Sequence, residues 1–286
     1  MVRGCVLLLI PSLLTGCPPG GGDSDSGPPL ATSGSFLALS YNVHGLPPQI
    51  TGDDTTSRQE LIAPLLAPYD IAALQEDFDE SNHEILAAAN DHPTQRWFGE
   101  PLDGRPYGSG LAVLAQEPET FYHPQYYSEC YGTLDNSGDC LASKGFQLLR
   151  LRLGAGELDV YNTHHEAGGG DEDNAVRLGQ VQEVLAAMDE HSAGRAVLFL
   201  GDFNLHGDDD EDQPCIDLYE GYGLVDACDA LGCPDPGRID RAWFRSGDDV
   251  EITPTSWEVQ DHFVDELGEH LSDHEPIVFG FDWAVR

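Results

Sequence analysis

The chain has 286 residues, 40% of them hydrophobic, with 13 basic and 51 acidic side chains and a net charge of −38. Its apolar content excludes a disordered chain, and a fold of this size can bury roughly 75% of its unfolded surface. A surface this acidic repels polyanions at long range, which argues against a general nucleic-acid binder and fits a solvated coat that keeps a protein soluble.

Met1-Val2-Arg3 is a short basic start, and residues 5–14 (CVLLLIPSLL) form an apolar run too short to span a bilayer. Leu14-Thr15-Gly16-Cys17 follows and is similar to the lipid-attachment box of bacterial lipoproteins. Residues 1–17 are therefore expected to be an export signal with Cys17 as the lipidation site; a plain secretory signal is the alternative. Residues 18–34 (PPGGGDSDSGPPLATSG) are nearly all Pro, Gly, Ser and Asp and are expected to be a flexible tether. Residues 35–286 then form one domain, exported and either anchored to the cell envelope or secreted.

Within that domain residues 36–42, 71–74, 110–115, 146–153, 157–163, 197–200, 242–245 and 276–281 are apolar runs of strand length. Residues 57–66, 84–89 and 174–189 are expected to be helical, the last with Val181, Val184, Leu185 and Met188 at helical spacing. Runs 146–153 and 157–163 lie too close for a helical crossover and form an antiparallel hairpin. The fold class is thus α/β of α+β type: a four-layer sandwich of two packed, mixed, largely antiparallel sheets flanked by helices. Export permits disulfides. Cys130 and Cys140 bracket a polar loop and pair, and one further pair is expected among Cys215, Cys228 and Cys233, leaving one thiol.

Several of these runs stop at an acid, an amide or a histidine. Asn42, Glu76, His164, Asp202, Asn204, Asp240, Asp273 and His274 are the residue types that a hard divalent cation and a phosphate ester require. Gly201 gives a sharp exit from its strand, and alternation places Asp202 and Asn204 on one side. The series YNV (41–43), LQE (74–76), SGLAVLA (109–115), NTHH (162–165), GDFN (201–204), IDRAWF (239–244) and SDH (272–274) resembles the endonuclease/exonuclease/phosphatase superfamily, with its deoxyribonuclease I-like fold. The resemblance covers roughly residues 36–281.

The resemblance implies these roles. Glu76 is the main ligand of Mg2+ (Mn2+ or Ca2+ being alternatives), Asn42 completes the metal site, and Asp273 supports the metal or its waters. Asp202 orients the attacking water and Asn204 holds a phosphate oxygen. Asp240 and His274 form a dyad that acts as general base. His164 protonates the leaving oxygen or stabilises charge on phosphorus, while His165 points to the other face. Lys144 in Ser143-Lys144-Gly145 resembles a feature of the sphingomyelinase-like branch and would place a cation near the phosphate. The remaining histidines, His44 and His92 among them, match no motif and are expected at the surface. The acidic run 208–212 is expected to be a solvated loop.

The expected activity is metal-dependent phosphodiester hydrolysis by in-line attack of water. A phospholipid head group is the expected substrate, as in sphingomyelinase C-like enzymes, with the membrane reached through the lipid anchor, no stable nucleic-acid partner and a monomeric state. Five aromatics in residues 121–131 could wall a quaternary ammonium or simply pack. The rival readings are a secreted, Mg2+-dependent nuclease and a catalytically inactive surface-binding lipoprotein.

Overall fold

A computed structural model of the chain describes residues 29–286 except 53, 103 and 134–137. Cys17 and most of the expected signal and tether therefore lie outside the described residues. Ala31–Arg286 form one unit. Among the described residues no helix is long and apolar enough to cross a membrane.

One sheet runs in the order β11 (Val250–Val259), β12 (Ile277–Val285), β1 (Ser33–Asn42), β2 (Ile71–Gln75), β4 (Leu111–Ala115) and β3 (Thr94–Phe98). The other runs β5 (Glu119–Tyr126), β6 (Gly145–Leu153), β7 (Gly156–His164), β8 (Ala196–Asp202), β10 (Asp240–Arg245) and β9 (Val225–Asp226). Only β1–β2 and β7–β8 pair in parallel. β1 opens at Ser33, two residues before the expected start of the domain. β6 and β7 form the expected antiparallel hairpin.

Phe36 and Ala38 of β1, Leu158 and Val160 of β7, and Leu198 and Leu200 of β8 belong to one buried apolar cluster between the sheets. Outside the first sheet, after the short α1 (Pro48–Thr51), Ile62 of α2 (Thr55–Ile62) and Leu86 of α3 (Glu80–Ala88) pack with Leu39, Tyr41 and Leu74. Outside the second, Val181, Val184 and Met188 of α4 (Asp171–His191) and Tyr219 of α5 (Gln213–Gly221) cover Phe146, Tyr161, Phe199 and Trp243. This is the expected four-layer sandwich.

Because side chains alternate across a strand, the inner face of each central strand can be followed to its end. On β1 it reads Phe36, Ala38, Ser40, Asn42; on β2 Ile71, Ala73, Gln75; on β7 Leu158, Val160, Asn162, His164; on β8 Leu198, Leu200, Asp202. Each begins apolar and finishes polar, at the same edge of the sandwich. Register aligns these finishes: Asn42 lies beside Gln75, His164 beside Asp202, and Asp202 beside Asp240.

Asn162 closes the apolar core beneath that edge. Its amide donates to the Leu74 and Ala112 carbonyls of the opposite sheet at 2.9 and 3.0 Å, and its oxygen accepts from Gln75 Nε2 at 2.8 Å. Replacing it by Leu would strand the Gln75 donor and two carbonyls in the core. We expect Asn162→Leu to cost about 2–4 kcal/mol, read as a lowered urea midpoint at unchanged slope.

Candidate active site

Asn42 links the two halves of the polar edge. Its Nδ2 donates to Glu76 Oε1 and to Asp202 Oδ2, both at 3.1 Å, so one amide ties a carboxylate of the first sheet to one of the second. Its Oδ1 accepts from the His44 backbone N–H at 3.0 Å. In this geometry Asn42 ties the two carboxylates together. Glu76 follows β2 in a left-handed conformation, with φ of 60°. Gly45 makes room for it, since a Cβ there would lie 2.2 Å from the Glu76 carbonyl oxygen. The other described non-glycine residues with positive φ are His44 and Asn204, so all three strained positions lie in this site.

His274 and Asp240 form the expected dyad, His274 Nδ1 lying 2.7 Å from Asp240 Oδ2. The other ring nitrogen faces Asp202 Oδ2 at 3.7 Å. Ser272 sets this loop: its hydroxyl donates to the Asn42 carbonyl at 2.7 Å and accepts from the His274 N–H at 3.2 Å. Burial opposes charge on His274, but the Asp240 hydrogen bond and the charges of Asp240, Asp202 and Asp273 outweigh it and raise its pKa to about 10. Burial likewise lifts Asp240 to about 6, against the pull of His274. Donor atoms of Asp202, Asp240 and His274 lie within 4.8 Å of one another.

His164 lies with Nε2 3.4 Å from Asp202 Oδ2. Burial, then the charges of Lys144 and His274, push its pKa well below the ordinary value, so the ring is neutral. Asp202 and Asn204 share the site by a turn and not by strand alternation: β8 ends at Asp202, whose Oδ1 accepts from the Asn204 N–H at 3.1 Å. Asn204 Nδ2 donates to the His165 carbonyl at 3.1 Å. Lys144 is 4% exposed, and its amine is held by that same carbonyl at 2.6 Å and by the Asp139 carboxylate.

A cation fits this arrangement. Glu76 Oε2 is buried without a hydrogen-bond donor, and so are His164 Nδ1 and Asp240 Oδ1. Burial, followed by the neighbouring Asp202 charge, raises the Glu76 pKa against the Asn42 hydrogen bond. A divalent cation at Glu76 would satisfy the orphaned oxygen and offset the clustered carboxylates. Asp273 stands at the rim, 3.1 Å from His44 Nδ1, and that hydrogen bond holds its carboxyl down at about 2.

Residues 39–274 match the endonuclease/exonuclease/phosphatase family. The chain belongs to that family. A sphingomyelinase of Mycobacterium bovis is 32% identical over 275 residues, covering 88% of this chain and 54% of the relative. The chain thus spans about half the length of the curated relatives it matches. Among solved structures, sphingomyelinase C from Streptomyces griseocarneus superposes with a TM-score of 0.66 at 20% identity, covering 86% of this chain and 99% of the other. Staphylococcus aureus beta toxin with bound magnesium ions gives 0.65 at 16%, with the same coverage. These two likenesses show the fold.

In this endonuclease/exonuclease/phosphatase chain the predicted residues Asn42, Glu76, His164, Asp202, Asn204, Asp240, Asp273 and His274 gather at one edge, with Lys144 beneath them. His44 was expected at the surface; it is half-buried between Asp273 and Glu76, 3.9 Å from Glu76 Oε2. The Asp273 hydrogen bond, set against burial, raises its pKa. The signal available was its position two residues after Asn42, just before Gly45. His92 is also buried, bonded to the Tyr69 carbonyl at 2.8 Å. Asp208–Glu211 are exposed as expected, but Asp212 is buried and paired with Arg177 at 2.7 Å.

Four of the five aromatics in the stretch 121–131 are engaged in packing. Phe121 and Tyr122 lie against Arg150 and Arg96, Tyr126 packs at a tilt on Phe98, and Tyr127 is buried against Phe146 and His165. Disulfides join Cys130 to Cys140 and Cys228 to Cys233, leaving Cys215 as a buried thiol.

His165 supports the site from behind, 2.7 Å from the Tyr219 hydroxyl and 3.3 Å from Gln180 Oε1. Burial, then the Arg177 charge, push its pKa from 6.5 down to about 3. Between those values the unfolded chain binds a proton that the folded chain does not, so acid favours unfolding. We expect stability to fall by roughly 1.4 kcal/mol per pH unit from this residue as pH drops below 6.5, and His165→Gln to flatten that slope in urea melts.

Proposed function

We propose that this chain is an exported, divalent-metal-dependent phosphodiesterase that hydrolyses a phospholipid head-group ester. The observation that carries the reading is the line Glu76–Asn42–Asp202–His274–Asp240, in which a buried orphan carboxylate oxygen and a His–Asp dyad share one edge. When bound at Glu76, a divalent cation supplies Lewis-acid stabilisation of charge developing on the phosphate. The carboxylates that raise the His274 pKa are the charges a cation at Glu76 would offset, and in its neutral form His274 Nε2 accepts the proton of the attacking water, while Asp240 fixes the Nδ1–H tautomer and stabilises the imidazolium that forms. Asp202 orients that water. Asn204, braced on the His165 carbonyl, holds a phosphate oxygen, and the charge of Lys144 supports it from below. His164 is held neutral, so of its two implied roles we assign stabilisation of charge by a donated hydrogen bond.

A lipid head group is favoured over nucleic acid by the net charge of −38, by sphingomyelinases among the relatives, and by the expected lipid anchor at Cys17. The test is release of phosphocholine from sphingomyelin vesicles, run beside loss of plasmid supercoiling, each with Mg2+, Mn2+ or Ca2+ and with chelator. Metal-dependent phosphocholine release is expected. Plasmid cleavage alone would make the chain a nuclease, and failure of both assays would leave a catalytically idle surface lipoprotein.

A further inference from the structure

Two histidines that match no motif meet on the outer face of the second sheet. His123 stands on the edge strand β5, and His191 closes the last turn of α4. Their ring centroids lie 4.4 Å apart with planes at 49°. β7 and β8 pair in parallel, so α4 between them returns from the active edge, and its 21 residues carry His191 about 30 Å back from that edge.

The pair is held in place while its ring nitrogens stay unused. His123 sits in the β5–β6 ladder opposite Leu148, and Arg150 Nη2 donates to the His191 carbonyl at 2.7 Å. Phe121 lies nearly parallel to the His123 ring, 6.4 Å from it, and 5.7 Å from the His191 ring. Phe146 lies 6.4 Å from His123. Neither imidazole hydrogen-bonds to a described residue, and His123 Nε2 is buried without a partner. An imidazole nitrogen shut away from water in this way costs free energy unless something binds it.

The surroundings select the ion. Burial, then the neighbouring His123, lowers the His191 pKa, so the ring is neutral and offers a lone pair. The charge of Arg150 also faces His191 but is offset by Asp159, which holds the guanidinium at 2.6 and 2.9 Å. Exposed Glu190 adds negative charge beside His191. Neutral imidazoles suit zinc and copper, whereas Mg2+ wants oxygen ligands. With Zn–N bonds of about 2.0–2.1 Å, two imidazoles on one tetrahedral ion have centroids about 5 Å apart. The rings reach that spacing by turning about χ2, a soft torsion, with the backbone left where it is. Water and Glu190 are available for the remaining positions.

We propose that His123 and His191 bind a Zn2+-type divalent cation at a site separate from the active edge, stapling the edge strand β5 to the end of α4. The site stands whether or not the chain hydrolyses phospholipid. The full chain is saturated with Mg2+ to fill the active edge and titrated calorimetrically with Zn2+, beside its His123→Phe and His191→Gln variants. Crystals soaked in Zn2+ are measured at the zinc absorption edge. One equivalent of Zn2+ should bind in the presence of Mg2+, with an anomalous peak between the two rings. Each variant should bind it at least tenfold more weakly, lose the zinc-induced rise in Tm and keep the Mg2+-dependent kcat of the wild type. A zinc peak only at the Glu76–His274 edge, no zinc binding in the presence of Mg2+, or undiminished affinity in both folded variants overturns the site. The wild-type peak decides the matter should either variant fail to fold.

Discussion

His274→Ala should lower kcat on a phosphodiester substrate by about 10³–10⁴-fold and leave the fold intact. The ring is hydrogen-bonded to the buried Asp240 carboxylate at 2.7 Å, and its other nitrogen faces Asp202. Without it no carboxylate-paired base of this kind is left to take the proton of the attacking water: the His164 ring is held well below its ordinary pKa by burial, and His44 is engaged with Asp273. Asp240→Asn should reduce kcat by a similar order, because an amide no longer enforces the Nδ1–H tautomer. The double variant should be no worse than His274→Ala alone, since the pair acts as a unit. Circular dichroism and thermal melts verify the fold. A His274→Ala protein that retained a tenth of wild-type kcat would remove the proposed base.

Glu76→Gln should abolish turnover to a comparable extent while leaving the metal-free protein as stable as the wild type, or more so. Glu76 is a buried carboxylate with an orphaned oxygen, beside the like charge of Asp202. The amide keeps the shape and can keep the Asn42 hydrogen bond at Oε1, and it loses the repulsion. The variant should also lose the stabilisation that a bound cation gives. At a hundredfold excess over Kd, Mg2+ should add about 2.7 kcal/mol to the wild type, a rise in Tm of roughly 5–10 °C. Differential scanning calorimetry with Mg2+ and with chelator reads both effects. An unchanged Mg2+ shift in Glu76→Gln would place the cation elsewhere.

The central strands were legible because their faces are buried, which writes apolar runs into β2, β4 and β8 and most of β1, while β7 was legible as the second arm of a hairpin. The strands that sequence reasoning passed over, β3, β5, β9 and β11, are the four sheet edges. Half-exposed edges carry alternating polar residues and tolerate proline, here Pro124 in β5 and Pro254 at the bulge of β11. α5 was hidden in a segment opened by an acidic run. The site residues stood out where a strand's inner face ends on a polar group. His44 did not, because its role comes from a turn beyond the strand, and Asn162 was visible only as a motif letter, its cross-sheet bonds being set by packing.

Anomalous diffraction from crystals soaked in Mn2+ tests the convergence most directly. One strong peak is expected within bonding distance of the Glu76 carboxylate, about 2.0–2.2 Å, on the side facing Asp202 and His274. A peak at the exposed acids of Asp208–Glu211 with none at Glu76, or Glu76 and His274 opening onto different faces of the molecule, would contradict it.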